Sequence, residues 1–352
     1  MKRILIISLW FIIPVHSVSQ TGGDNIYEFL NLTHSGRISS LGGSNVSLTG
    51  INLNFAWNNP ALLNAEMDKS LALDYSNYFA GINYGLAMYS RSMQKKGNIA
   101  GGLTYLNYGS FAEADPSGNI TGSFSASETA FSFIYSHVLD SMFSVGINFK
   151  PVISHLEKYT SLGIAFDIGA SWHNTGNLLS AGLVIRNIGY QITTYTGEAR
   201  GKLPIELLAG VSARLAHAPF RFSLTLRHLE KYDLTYNYVP TDEESVSGTS
   251  DFFENMMRHV IIGAEIIPHK NFYISFGYNH QRRSELQTDL KVGGTGFTWG
   301  FGVNTSMLDI EFGRASYHLA GSSNHVSLIL RSDFMPKKFL SPEAVSKVLC
   351  GP

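Results

Sequence analysis

The sequence predicts an all-β protein, a 14-stranded antiparallel transmembrane β-barrel with an N-terminal lumen plug (hatch). Three observations predict it: repeated two-residue alternation, connections that sort by parity, and an export signal at the start. Between Asp68 and Phe334 some fourteen short segments alternate apolar residues with polar or small ones. Phe220, Phe222, Leu224 and Leu226 interleave with Arg221, Ser223, Thr225 and Arg227. Phe297, Trp299, Phe301 and Val303 interleave with Thr298, Gly300, Gly302 and Asn304. Strand side chains point to opposite faces with period two, so each segment has one apolar and one wet face. That pattern, repeated behind a secretion signal, is the mark of an outer-membrane barrel.

The signal occupies residues 1–19. Lys2 and Arg3 supply its positive start, Ile4 to Val15 its apolar run, and Ser17-Val18-Ser19 a cleavage site before Gln20. The run is too short to cross ~30 Å of hydrocarbon, and no cysteine follows it to carry a lipid. No later apolar run reaches the length of a membrane helix. Only 15% of residues are charged, against ~25% in soluble domains. The 26 basic and 27 acidic side chains leave no basic surplus, which argues against nucleic acid as a partner. Cys350 stands alone and cannot form an internal disulfide.

The barrel is expected over residues 68–334. Its strands are predicted at 68–79, 80–91, 97–109, 127–139, 143–155, 160–173, 177–190, 203–215, 218–232, 256–267, 271–282, 294–304, 306–318 and 323–334. Connections after even strands are short: Ser92–Lys96, Asp140–Met142, Asn174–Gly176 and Pro268–Lys270. Several after odd strands are long: Ser110–Ala126, Gln191–Lys202, Asp233–Asn255 and Arg283–Gly293. Bacterial barrels have short periplasmic turns and long surface loops, so parity puts both termini in the periplasm of an outer-membrane protein. Tyr78, Tyr108, Tyr159, Tyr190, Tyr232, Tyr278 and Tyr317 near the odd-strand ends suit the outer lipid interface. A soluble sandwich or propeller would put polar residues on the outward face and would not sort its turns.

Residues 20–67 do not alternate. They carry Tyr27, Phe29, Leu30, Leu32, Phe55 and Trp57, with Leu41-Gly42-Gly43 and Asn58-Asn59-Pro60-Ala61-Leu62 between and after. A segment this apolar needs burial, and the bore is available for it. The other possibility is a cap on the periplasmic mouth. On the polar strand faces Lys150, Arg186, Arg221 and Arg227 sit with Asp167, Glu206, Glu265, Asp309 and Glu311. Both signs together predict an internal ion network rather than a selectivity pore. Residues 335–352 follow the last strand as a periplasmic tail containing Lys337, Lys338 and Lys347.

No catalytic, metal or cofactor site is expected. Ser92-Met93-Gln94-Lys95 matches the S-x-x-K of penicillin-binding proteins, but its companion motifs are absent. Gly201-Lys202 lacks the glycine spacing of a phosphate loop, and Gly293-Gly294-Thr295-Gly296 opens a strand, not a helix. Asp309 and Glu311 share a face as an acid/base pair does, yet a salt-bridged lumen explains them. At the outer rim, His155-Leu156-Glu157-Lys158-Tyr159 echoes His228-Leu229-Glu230-Lys231-Tyr232. Lys158, Lys231, Arg282 and Arg283 there face anionic lipid and lipopolysaccharide. Tyr236, Tyr238, Val239, Phe252 and Phe253 in one long loop, with Phe111 and Phe124 in another, are the partner-binding candidates, as exposed aromatics anchor interfaces.

Several stretches resemble the PorQ family of the Bacteroidetes type IX secretion system. These are Thr21–Leu32, Ser39–Gly43, Asn59–Asn64, Asp74–Gly85, Tyr105–Phe111 and Ala218–Thr225. The resemblance implies a fourteen-stranded barrel of the group that includes PorV and FadL, with no catalytic residues. It also implies partnership with PorZ-like, PorU-like and PorV-like proteins, in an attachment complex that joins cargo to lipopolysaccharide. The role implied is to hold the PorZ-like partner at the outer membrane. The Asn-Pro-Ala stretch also resembles the hatch of FadL-type fatty-acid transporters, which keeps open a channel for hydrophobic molecules, with Pro151 kinking the fifth strand to open the wall.

Overall fold

The computed structural model describes residues 25–197, 199–234, 251–286, 294–318 and 321–331. The signal, the tail, Cys350, Tyr236, Tyr238 and Val239 lie outside the described residues. The chain begins with short helices α1 (Gly36–Ser40) and α2 (Asn54–Asn58). Strands β1 (Ser70–Asn77), β2 (Asn83–Ser92), β3 (Asn98–Ala114), β4 (Ile120–Val138), β5 (Phe143–Leu156), β6 (Tyr159–His173) and β7 (Leu179–Thr193) follow. After β8 (Glu206–Arg214) and β9 (Phe220–Leu226) come helix α3 (Asp251–Arg258), β10 (Val260–His269) and β11 (Phe272–Asn279). Helix α4 (His280–Leu286), β12 (Phe297–Asn304), β13 (Leu308–His318) and β14 (Gly321–Arg331) complete it.

Every strand pairs antiparallel with its sequence neighbours, and β1 pairs with β14 from Ser70↔Arg331 to Asn77↔Asn324. The sheet is a closed fourteen-stranded barrel. Closure removes free edges, so all ladder groups bond within the wall. Period two then sorts the side chains. On β12, Phe297 and Trp299 are 52% and 46% exposed, while the alternating Thr298 and Gly300 are buried. Leu73 and Tyr75, Phe131, Phe133 and Tyr135, and Phe276 repeat this outward apolar face around the wall.

Three expectations need correction. The connection Ser110–Ala126 is mostly strand: β3 and β4 continue as a ribbon whose turn is closed at Asp115. Asn119 donates to the Asp115 carboxyl, and this bond, helped by backbone amides, holds that carboxyl below the usual range. Alternation runs through Ser110–Ala114 with small residues, which hid it as loop composition. Next, β9 stops at Leu226 rather than residue 232, because His228 takes a positive φ of 54°. Finally, the tyrosines do not form one girdle. Tyr159 and Tyr190 face out, but Tyr78 and Tyr108 pack inward beside the amino-terminal segment. A strand-end position does not fix which face a residue takes.

At Pro151 the β4–β5 ladder keeps one register, but pairing lapses at Phe131 and Ser132, between Ala130↔Val152 and Phe133↔Phe149, where proline lacks a donor. Register shifts occur elsewhere in the wall, at Leu162/Gly163 and Phe166/Ile168 between β6 and β7, and also in the β3–β4, β10–β11 and β13–β14 pairs.

Residues 25–67 lie against the inward faces of the strands. Ser35 caps α1 by accepting from the Ile38 amide. That helix seats on β12–β14: the Gly36 amide donates to Ser327 Oγ at 2.9 Å, and Thr298 Oγ1 donates to the Ser40 carbonyl at 2.7 Å. The approach is close because the wall there lacks side chains. A Cβ on Gly313 would fall 2.0 Å from the Gly36 carbonyl oxygen, and one on Gly182 would fall 1.9 Å from that of Val46. Downstream, Leu53, Ala56, Trp57, Leu63 and Met67 pack with Ala72, Leu86, Met88 and Ile134 of the wall.

The direction of travel along the bore follows from the two ends of the described chain. Arg331 ends β14 at the short-turn rim, where β1 starts. Asn25, however, bridges in parallel to Lys202, and the Ile26 amide donates to the Lys202 carbonyl at 2.8 Å, both at the long-loop rim. Tyr27 bonds Ser161 at that same rim. The first described residues and the end of the last strand are therefore at opposite ends of the cylinder. A segment that fills the bore and must arrive at β1 from above crosses it once.

Gly313→Val is expected to destabilise the protein by ~1–3 kcal/mol through overpacking against Gly36. Gly101→Val, where an added Cβ meets nothing within 4 Å, is expected to leave stability unchanged. Thermal unfolding of both variants in detergent checks this; equal midpoints contradict the seating of α1.

Candidate functional site

The bore holds a chain of buried ion pairs, and one partner comes from the amino-terminal segment. Arg37, carried by α1, is its only Lys or Arg between Asn25 and Met67. Its Nε donates to Glu265 at 2.8 Å, and Arg221 bonds the other oxygen of Glu265 at 3.0 Å. The Arg37 guanidinium also lies 4.2 Å from the Tyr273 ring centre. One wall carboxylate thus holds a wall arginine and a segment arginine together. Charge-assisted hydrogen bonds of this kind offset the cost of burying the ions.

Around the wall, Glu206 accepts from Arg227 at 2.5 Å, with Arg186 at 3.9 Å. Arg186 turns its guanidinium onto the segment, donating to the Asn58 carbonyl at 2.6 Å. Lys150 pairs with Asp167 at 2.6 Å and donates to Asn187 Oδ1 at 2.5 Å. Asn59, the first residue of the Asn-Pro-Ala turn, accepts from the Ala61 amide and donates to the Val46 carbonyl at 2.9 Å. The segment's backbone groups are thereby satisfied by wall and segment side chains in place of water.

The remaining two expected network members separate from the rest. Asp309 pairs with Arg331 at the short-turn rim. Glu311 has no ion-pair partner within bonding distance among the described residues; it accepts from Asn52 Nδ2 at 2.5 Å and from Ser35 at 3.2 Å, both of the segment. Strand parity put Asp309 and Glu311 on one face, and it does so, but the axial step between them gives each its own partner. Arg37 and Arg331 were missed. A lone arginine in an otherwise uncharged buried stretch was the available signal for Arg37.

Other candidates fall apart by position. Arg282 is not a rim cation: it is buried, with its guanidinium 4.0 Å from the Tyr317 ring centre. Tyr78, Tyr317, Tyr84, His34 and Trp57 continue from there as edge-packed rings into the bore, His34 lying 5.0 Å from Trp57. Lys158 is solvent-exposed beside Glu157 at 3.2 Å. Phe252 and Phe253 are 64% and 66% exposed on α3. Phe111 stacks on Phe124 at 5.2 Å on the β3–β4 ribbon rather than in a loop. Ser92 ends β2 and Lys95 lies in the following turn.

At the long-loop rim a cleft of ≈ 760 Å³ opens above the bore. The wall is low there, since the β7–β8 ladder ends at Arg186↔Glu206 while β7 continues to Thr193. The cleft is bounded by Asn25, Glu28 and Asn31 of the segment, and by Pro204, Arg227, Lys231 and Glu285 of the rim.

No family model matches the sequence and no curated protein is similar to it. Solved structures do share its fold. The chain is similar to the Ralstonia pickettii toluene transporter TbuX, with 11% identity, 86% of this chain and 98% of that one covered, and a TM-score of 0.52. It is similar to the Pseudomonas putida toluene transporter TodX, with 11% identity, 85% and 97% covered, and a TM-score of 0.50. A Pseudomonas aeruginosa FadL homologue aligns more loosely, with 11% identity, 85% and 98% covered, and a TM-score of 0.48. At such identity the likeness is one of fold.

Glu265→Ala is expected to lower stability by ~3–5 kcal/mol, because Arg37 and Arg221 lose their shared counter-ion in a buried site. Glu157→Ala, at the exposed pair, is expected to change nothing measurable. Denaturant unfolding in micelles checks both; equal effects contradict a buried ion relay.

Proposed function

We propose that this chain is a non-enzymatic outer-membrane barrel, sealed by residues 25–67 as a plug, that anchors a surface partner of a type IX secretion apparatus. The observation that carries the reading is the filled bore. Arg37, Asn58 and Asn59 tie the segment to Glu265, Arg186 and the wall backbone, which favours a rigid anchor over a conduit. The outward apolar band supports residence in lipid, and barrels of this kind are outer-membrane proteins. The residue resemblance to the PorQ family supports the partner class, a PorZ-like protein working with PorU-like and PorV-like ones beside lipopolysaccharide.

A second reading has its own support. TbuX and TodX are described as toluene transporters, and the shared fold favours a channel for hydrophobic molecules over secretion-system anchoring. Against it stand the charged bore and an outer cleft lined mainly by polar side chains.

Purified barrel in liposomes is expected to take up no labelled toluene or fatty acid and to show no steady conductance, while a variant lacking residues 25–58 conducts ions. Uptake by the intact protein would establish the channel reading. Affinity purification from outer membranes is expected to recover a lipopolysaccharide-binding surface protein; recovery of the barrel alone would remove the anchor.

A further inference from the structure

The segment that fills the bore also reaches the surface. Asn25 and Ile26 are stitched to Lys202 in the β7–β8 connection, and Asn31 accepts from Asn187 Nδ2 at 2.7 Å. Between these fixed points Glu28 is exposed and, among the described residues, accepts from Asn25 Nδ2 at 2.8 Å. At the other end of the same segment Ile51 and Glu66 are exposed at the short-turn rim. One continuous piece of chain is therefore accessible at both mouths and buried between them.

At the outer mouth it meets side chains of both signs. Arg227 is neutralised by Glu206, and His228 bonds Glu230 at 3.1 Å. Lys231, with no ion pair of its own among the described residues, and Glu285, which accepts from Gln281, face the same cleft as Glu28. Pro204, Ile205 and Leu234 supply its few apolar contacts. A hydrocarbon would strip water from these charges without replacing it, and a phosphate would meet the Glu28, Glu230 and Glu285 carboxylates beside Lys231, with Arg227 and Arg258 already paired to Glu206 and Glu254.

We infer that this outer cleft is a protein-docking site built jointly by the plug and the rim, and that its occupant is a polar loop of a partner protein carrying both charge signs. It rests on the anchor reading above and names the surface that reading uses. Because Glu28 and Arg37 lie on one short piece of chain, a partner seated there touches the same segment that the Glu265 pair holds in the bore.

Single cysteines test it in a Cys350→Ser background, since Cys350 is the chain's one cysteine. A bulky membrane-impermeant maleimide on intact cells is expected to label Glu28→Cys and Ser117→Cys, the latter at the β3–β4 turn. Ile51→Cys and Lys95→Cys are expected to react only after the outer membrane is permeabilised. Reversal of Ser117→Cys and Lys95→Cys would overturn the orientation taken in the anchor reading. Correct behaviour of that pair, with Glu28→Cys unreactive from outside, would overturn the cleft alone. With purified protein, the adduct on Glu28→Cys is expected to lower recovery of the co-purifying surface partner about tenfold, while the adduct on Lys95→Cys does not. Undiminished recovery with the Glu28→Cys adduct would also overturn the docking site. Failure to recover any partner with unlabelled protein would count against the anchor reading itself.

Discussion

Everything in this molecule depends on ladder closure between β1 and β14. Once Ser70 pairs with Arg331 and Asn77 with Asn324, the sheet has no edge and its two faces acquire fixed environments. Period two then forces half of each strand inward, where Ser, Thr, Asn and charged residues need partners that lipid cannot give. The bore is the only place those groups can be satisfied, and water or protein must fill it. Here protein does.

The filling obeys the same rule as the wall. A chain with short helices and turns exposes more backbone than a strand does, so it needs donors and acceptors along its whole path. Ser327, Thr298, Arg186 and Asn59 provide them at named carbonyls and amides. Glycines at Gly313 and Gly182 let backbone meet backbone. The ion pairs add selectivity more than stability, because burying charge recovers little beyond its cost. Their value is positional: Arg37 finds a complete counter-ion only when α1 lies across Glu265 and Tyr273.

The wall is uneven in height. β3 and β4 run 17 and 19 residues and project as a ribbon, whereas β8 and β9 run only 9 and 7. The low side leaves the mouth open to solvent beside the start of the plug. A barrel built this way has a tall edge and a polar recess, with residues 25–67 bonded to the wall between them. The toluene transporter TbuX shares this barrel fold, and a shared fold does not fix a shared function.

Strand number, order and facing were legible in the residues, because Phe297-Thr298-Trp299-Gly300 and its counterparts state their two faces directly. So was the sign mixture of the lumen, since Arg186, Arg221 and Glu265 fall on polar faces. The segment's burial was legible from Trp57 and Phe55. Pairing was not: Asp309 meets Arg331 and Glu311 meets Asn52 because of axial height in the closed cylinder, which depends on shear and not on local sequence. Nor was the route of the plug, entering beside Lys202 and leaving at Ser70, since a bore has two ends and a non-alternating stretch carries no direction. Alternation is a local property of the chain and writes itself residue by residue; partner choice across a bore is set by geometry that exists only after the ring has closed.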